Sequence, residues 1–121
     1  MAKRNYKTIK TGEIWWVDLS SNLNDTIGHE TQKTRPCLVV ANCKDTKFLI
    51  IIPFQSNLDV NRLPHTITIK KHQNNGLKND SVAIIFQMRS IDYIRIKSYS
   101  GIISNQDLFK IKNIIKDLLD L

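Results

Sequence analysis

Glycine is scarce in this chain, with four residues at 12, 28, 76 and 101. They are too far apart to form a glycine-rich cradle for phosphate, so neither a P-loop nor a dinucleotide-binding turn is present. Cysteine is scarcer still. Cys37 and Cys43 make no disulfide framework and have no paired-thiol metal spacing. Both lie in or beside one apolar run and read as buried thiols of a cytoplasmic protein. His29, His65 and His72 are scattered, which leaves no zinc pattern. Serine-centred elbows and paired-carboxylate patterns are missing as well. The longest apolar run, 48–54, is far below the roughly 20 residues of a membrane helix. No apolar stretch opens the sequence, so no secretory signal is expected. There is no βαβ rhythm, which excludes a Rossmann-type sheet. Any catalysis is therefore expected to use neither metal nor cofactor.

The 121 residues suit one domain, and 41% hydrophobic with 24% charged residues is ordinary globular composition. A chain of this size buries roughly two-thirds of its unfolded surface, enough for a real core. Eighteen Lys and Arg against 11 Asp and Glu give a net charge of +7. That excess favours a polyanionic partner, nucleic acid first. Lys3, Arg4, Lys7 and Lys10 supply much of it, and residues 1–11 read as a basic, flexible tail.

The hydropathy pattern is that of short strands followed by one helix. Residues 13–19 are aromatic and β-branched, as a half-buried strand requires. A long polar stretch, 20–34, follows, and loops of that length in compact domains are commonly functional. Continuous apolar runs at 37–41 and 47–53 read as buried neighbouring strands. Residues 55–63 are irregular, with one helical turn. Ile67 and Ile69 alternate with polar residues in a one-sided strand, and Asn74-Asn75-Gly76 marks a turn. Residues 81–86 are apolar, 87–92 run into a bend, and 99–103 form a last short strand. Ser104 caps a helix over 105–120, with Asp107 three residues on and Leu108, Ile111, Ile115, Leu118 and Leu119 at helical spacing. The expected fold is mainly β, a small strongly bent sheet or barrel with a C-terminal helix.

One reaction suits a small basic protein with no metal site. RNA carries its own nucleophile, the 2′-OH. A protein need only take that proton, stabilise charge on the phosphate oxygens and help the 5′-oxygen leave. An arginine fork matches phosphate and stays charged. A carboxylate or histidine serves as base or acid, and hydroxyl or amide groups donate to the nonbridging oxygens.

Three segments carry a family resemblance: Gly12-Glu13-Ile14-Trp15-Trp16-Val17-Asp18-Leu19, Gly28-His29-Glu30-Thr31-Gln32-Lys33-Thr34-Arg35-Pro36-Cys37-Leu38-Val39-Val40, and Asp80-Ser81-Val82 running on to Gln87-Met88-Arg89-Ser90-Ile91-Asp92. Together with Ile52-Pro53 between the second and third, they resemble the MazF/PemK (Kid) toxins of bacterial toxin–antitoxin pairs. The resemblance spans residues 12–96, and the C-terminal helix fits in kind. It implies an SH3-like small barrel of the MazF/PemK/CcdB type over 12–121, assembled as a homodimer. It implies an mRNA interferase that inhibits growth, a sequence-specific, ribosome-independent, metal-independent endoribonuclease cutting single-stranded RNA. It also implies an inhibitory antitoxin whose disordered tail occupies the RNA groove.

Residue by residue, the resemblance makes Arg35 the catalytic arginine at the scissile phosphate. Glu30 becomes a base or a clamp on Arg35, and His29 an assistant of the Gly-His-Glu form. The family threonine after the Ile-Pro strand end is replaced by Gln55, with Ser56 next, and either can supply the missing donor. A one-residue shift on a regular strand reverses the face, so Ser56 substitutes only if the strand has broken there. Ile84 and Phe86 stand where the PemK branch has its Arg and Asp, which removes that branch's base and acid. Gln87 matches a supporting amide, alternatively a buried group satisfying a bent backbone, and Arg89 matches a basic residue at the groove. Strand alternation sends one of Trp15 and Trp16 inward; Trp16 is expected in the core and Trp15 near the groove. Asn57, Asn61 and Arg62 are candidate base readers. Two other readings remain, an RNA-binding relative with impaired catalysis and a CcdB-like gyrase poison.

Overall fold

The computed structural model describes residues 5–20 and 33–121. Seven strands, β1 (Glu13–Asp18), β2 (Thr34–Cys43), β3 (Phe48–Gln55), β4 (Thr66–Ile69), β5 (Ser81–Ile84), β6 (Arg89–Asp92) and β7 (Ile96–Ile102), precede one helix, α1 (Asn105–Leu119). The strands form one sheet in the order β4-β5-β3-β2-β1-β7, with β6 also on β3. All pairings are antiparallel. β3 changes partner along its length: Phe48 to Ile51 pair with β6, whereas Phe54 and Gln55 pair with β5. That exchange bends the sheet strongly, yet the ladder does not close, because β4 and β7 remain its two ends.

The central strands are buried on both faces. Ile14, Leu38, Ile52 and Phe54 pack under α1 with Ile69, Ala83, Ile85 and Ile111. Trp15, Val17, Cys37, Val39, Leu49 and Ile51 pack on the other side with Ile9, Ile91 and Ile96. Burial on both faces explains why β2 and β3 read as continuous apolar runs rather than alternating ones. Pro36 sits where β2 has β1 alone as partner, since pairing to β3 begins at Cys37. A residue without an N–H is tolerated there. The Ser104 side chain accepts the Asp107 N–H at 3.1 Å and starts α1 as its sequence requires.

Two expectations need correction. The flexible basic tail does not extend to residue 11. Tyr6–Thr8 form a 3-10 turn, Ile9 is 2% exposed, and the Asn42 amide donates to the Tyr6 and Ile9 carbonyls at 2.8 and 2.9 Å. One buried isoleucine among charged neighbours leaves no periodic signal, and its partners lie on distant strands. The bend expected at 87–92 is a 3-10 turn, Ile85–Gln87, followed by strand β6.

The hairpin between β4 and β5 is tied to β7. Gly76 has φ of +70° and lies against Ser100. Asn75 is 5% exposed; its side chain accepts the His72 and Leu77 N–H groups and donates to the Lys70 carbonyl. The Ser100 hydroxyl donates to the Asn75 carbonyl, and the Ile102 N–H to that of Asn74.

Candidate active site

The site is built where β2 enters the sheet. Val17 pairs with Arg35 and Trp15 with Cys37, so these four share one face. Cys37 pairs with Pro53 across β2 and β3. That pairing is the last between the two strands; by alternation Arg35, two residues before Cys37, and Gln55, two after Pro53, belong to the same face. Arg89, paired with Ile51, lies on the neighbouring strand of that face. Arg35 is half-buried and Arg89 exposed.

Both guanidinium groups lie close enough to Cys37 to favour its thiolate. Burial outweighs them and pushes the thiol far up. Cys37, with no exposed surface and its Sγ–H directed at the Arg35 carbonyl, is a neutral packing residue and not a nucleophile. Among the described residues the one carboxylate within salt-bridge distance of a basic side chain is Asp117, 2.9 Å from His65, so no described carboxylate neutralises Arg35 or Arg89.

The Gln55 side-chain oxygen accepts the Asn57 N–H at 3.3 Å, which leaves its NH2 group to donate toward Arg35's face. β3 ends at Gln55, so the break that a Ser56 role requires is present, but Ser56 lines a cavity with Trp16, Pro36 and Phe54, residues of the opposite face. Gln87 closes the 3-10 turn and is exposed, not a buried amide. Asn57 caps the next turn by accepting the Asp59 N–H, and Asn61 donates to Thr68, so both loop amides already serve the fold. Arg62 is exposed in the same turn.

The two tryptophans are placed opposite to expectation. Trp15 is 3% exposed; its indole N–H donates to Glu13 and its ring meets Tyr99 edge-on at 5.3 Å. Trp16 is half-buried and lines a cavity of about 220 Å3 together with Arg35, Pro36, Phe54, Ser56, Lys78, Asn79 and Ser81. Alternation alone leaves that choice free. What decides it is that the core on the Trp15 face continues along β1 through Val17, while the core under α1 takes only Ile14 from this strand.

His29 and Glu30 lie outside the described residues. Of the described residues on either side of them, the Leu19 N–H donates to the Lys33 carbonyl at 2.9 Å. Arg95 adds a clamp that the sequence did not reveal, donating to the Asp18 and Ser20 carbonyls at 3.2 and 2.6 Å. Burial opposes ionisation of Asp18. The Ser20 hydroxyl and N–H, with Lys97 and Arg95, outweigh it and hold the carboxyl below the usual carboxylate range. A depressed folded pKa stabilises the fold fully above the unfolded value of about 4 and less as pH falls through the folded one. Asp18→Asn is therefore expected to lower the melting temperature at pH 7, with the gap to wild type narrowing in acid. A gap independent of pH down to 2 would contradict this origin.

No three His, Cys, Asp or Glu side chains cluster among the described residues. No helix among them is long and apolar enough to cross a membrane. The profile of the family described as PemK-like, MazF-like toxin of type II toxin–antitoxin system matches residues 10–119. No curated protein matches the sequence. Among solved structures, MazF from Deinococcus radiodurans is similar at TM-score 0.70 and 20% identity, covering 93% of this chain and 97% of that one. Mycobacterium tuberculosis toxin MazF-mt6 is similar at 0.69 and 17%, covering 90% and 97%. An endoribonuclease in complex with its cognate antitoxin, from a mycobacterial species, is similar at 0.68 and 14%, covering 92% and 94%. At these identities the likeness carries the fold, a mainly antiparallel sheet with a C-terminal helix.

Proposed function

Because the chain belongs to the PemK-like, MazF-like toxins of type II toxin–antitoxin systems, we infer that it is a cytoplasmic endoribonuclease that cuts single-stranded RNA at specific sequences without a metal ion. The observation that supports this most is the strand alternation that gives Arg35, Gln55 and Arg89 one face of the sheet, with no described carboxylate to neutralise either arginine. Such a face offers two guanidinium forks and an amide donor to one phosphate. The ribose 2′-oxygen attacks phosphorus and the bond from phosphorus to the 5′-oxygen breaks. The 2′-OH proton passes to a base and the 5′-oxygen takes a proton, leaving a 2′,3′-cyclic phosphate and a 5′-OH end. Arg35 stabilises the charge that grows on the nonbridging oxygens, and Gln55 donates to one of them. Glu30 takes the 2′-OH proton or clamps Arg35, and His29 assists. Gln87 and Arg89 support the RNA. A homodimer and an inhibitory antitoxin are the partners this reading requires.

Incubation with a long single-stranded RNA in EDTA tests it. Discrete cuts with cyclic-phosphate and 5′-OH ends are expected. RNA left intact, or cut only when divalent metal is restored, overturns the reading. One observation favours a second reading, an RNA-binding member with impaired catalysis: a glutamine stands where the family has threonine. The pair Gln55→Ala and Ser56→Ala separates donor roles. Gln55→Ala is expected to slow cleavage about tenfold or more, as loss of one transition-state donor does. Ser56→Ala is expected to slow it less. The reverse order would make Ser56 the donor.

A further inference from the structure

The cavity beside Arg35 is on the sheet face opposite Gln55, so the phosphate chemistry does not use it. Its volume of about 220 Å3 is below that of a site for a drug-sized ligand and suits one planar heterocycle. One wall is the half-buried indole of Trp16, next to Pro36, its strand partner. The cavity's polar lining includes Ser56, Asn79 and Lys78. Asn79 and Ser56 continue into an adjoining trough that Lys71 and Asp80 also line. A π surface, an amide and a hydroxyl lining one cavity, with Lys78 there and Lys71 in the trough beside it, are the elements that hold a stacked base and the phosphates flanking it.

We propose that this cavity binds one nucleobase of the RNA, stacked on Trp16 and read at its edge by Asn79 and Ser56, with Lys71 and Lys78 on the neighbouring phosphates. Arg35 belongs both to the phosphate face and to the cavity wall. The bound base is therefore that of a nucleotide adjoining the scissile phosphate, and the cavity sets part of the cleavage preference. The inference rests on the ribonuclease reading above and adds the residues that select its substrate. A carboxamide presents both donor and acceptor to a base edge, so Asn79 is a specificity-determining residue rather than a catalytic one.

The test uses short oligonucleotides spanning a mapped wild-type cut, made uncleavable by a 2′-deoxy sugar at the attacking nucleotide. One carries every base, and others lack the base at single positions beside the cut. Removing one base is expected to weaken binding about tenfold, and Trp16→Ala is expected to erase the difference between parent and abasic ligands. Trp16→Phe keeps an aromatic surface and should restore most of it. Trp16 fluorescence should be quenched by the parent; Trp15, buried against Tyr99, supplies the constant background that Trp16→Phe reveals. Asn79→Ala is expected to change the ranking of substrates that differ at that one base. If every abasic ligand binds wild type as the parent does while cleavage continues, the base cavity is wrong and the ribonuclease reading stands. Quenching by a peptide from the antitoxin and none by RNA would give the cavity to the antitoxin and overturn the proposal. RNA neither bound nor cut would remove both readings.

Discussion

Replacing Arg35 by alanine is expected to reduce RNA cleavage by about 100- to 1,000-fold, the loss typical when a preorganised charge donor at the reacting centre is deleted. Folding should be almost unaffected. Arg35 lies near the start of β2, where that strand pairs with β1 alone, and its half-exposed side chain belongs to neither buried cluster. Arg35→Lys should recover only part of the activity. It keeps the charge but loses the planar fork that spans two phosphate oxygens. The comparison is made at saturating RNA, with melting curves for each variant. A rate within threefold of wild type for Arg35→Ala would remove this residue from the chemistry.

Gly76→Ala is expected to be the most damaging small substitution for stability. The residue has φ of +70°, and an added Cβ would overlap the Ser100 carbonyl, which is backbone and cannot rotate away. Left-handed strain of about 1–2 kcal/mol adds to overpacking of about 1–3 kcal/mol. Thermal unfolding should shift down by roughly 10 °C or more for a domain of this size. The damage should also reach the cavity, because the same hairpin carries Lys78 and Asn79. Unchanged melting would mean that the hairpin moves away from β7 at little cost.

Most of the strand and helix plan was legible because it is written in local pattern. β2 and β3 announce themselves as apolar runs, and two-sided burial is the physical reason. Helix α1 follows from Ser104 and the spacing of Leu108, Ile111, Ile115 and Leu118. What escaped depends on which residues meet across the fold. Ile9 is held by Asn42, far away in sequence, and no periodicity signals it. Trp15 and Trp16 are adjacent residues of similar chemistry, and their assignment waits on how far each core extends along β1. The same holds for Gln55 and Ser56, whose placement depends on where β3 ends and on its exchange of partner strand. Arg35 was legible from its motif, while the cavity beside it was not, since β1, β2, β3 and the β4–β5 hairpin each supply part of its wall.

The Arg95 clamp has a consequence for the order of assembly. It ties the Asp18 and Ser20 carbonyls to a side chain 77 and 75 residues further along the sequence. Contacts so distant form late, because loop closure costs entropy before the contact repays it. The end of β1 should therefore be among the last parts of the sheet to gain protection from hydrogen exchange during refolding.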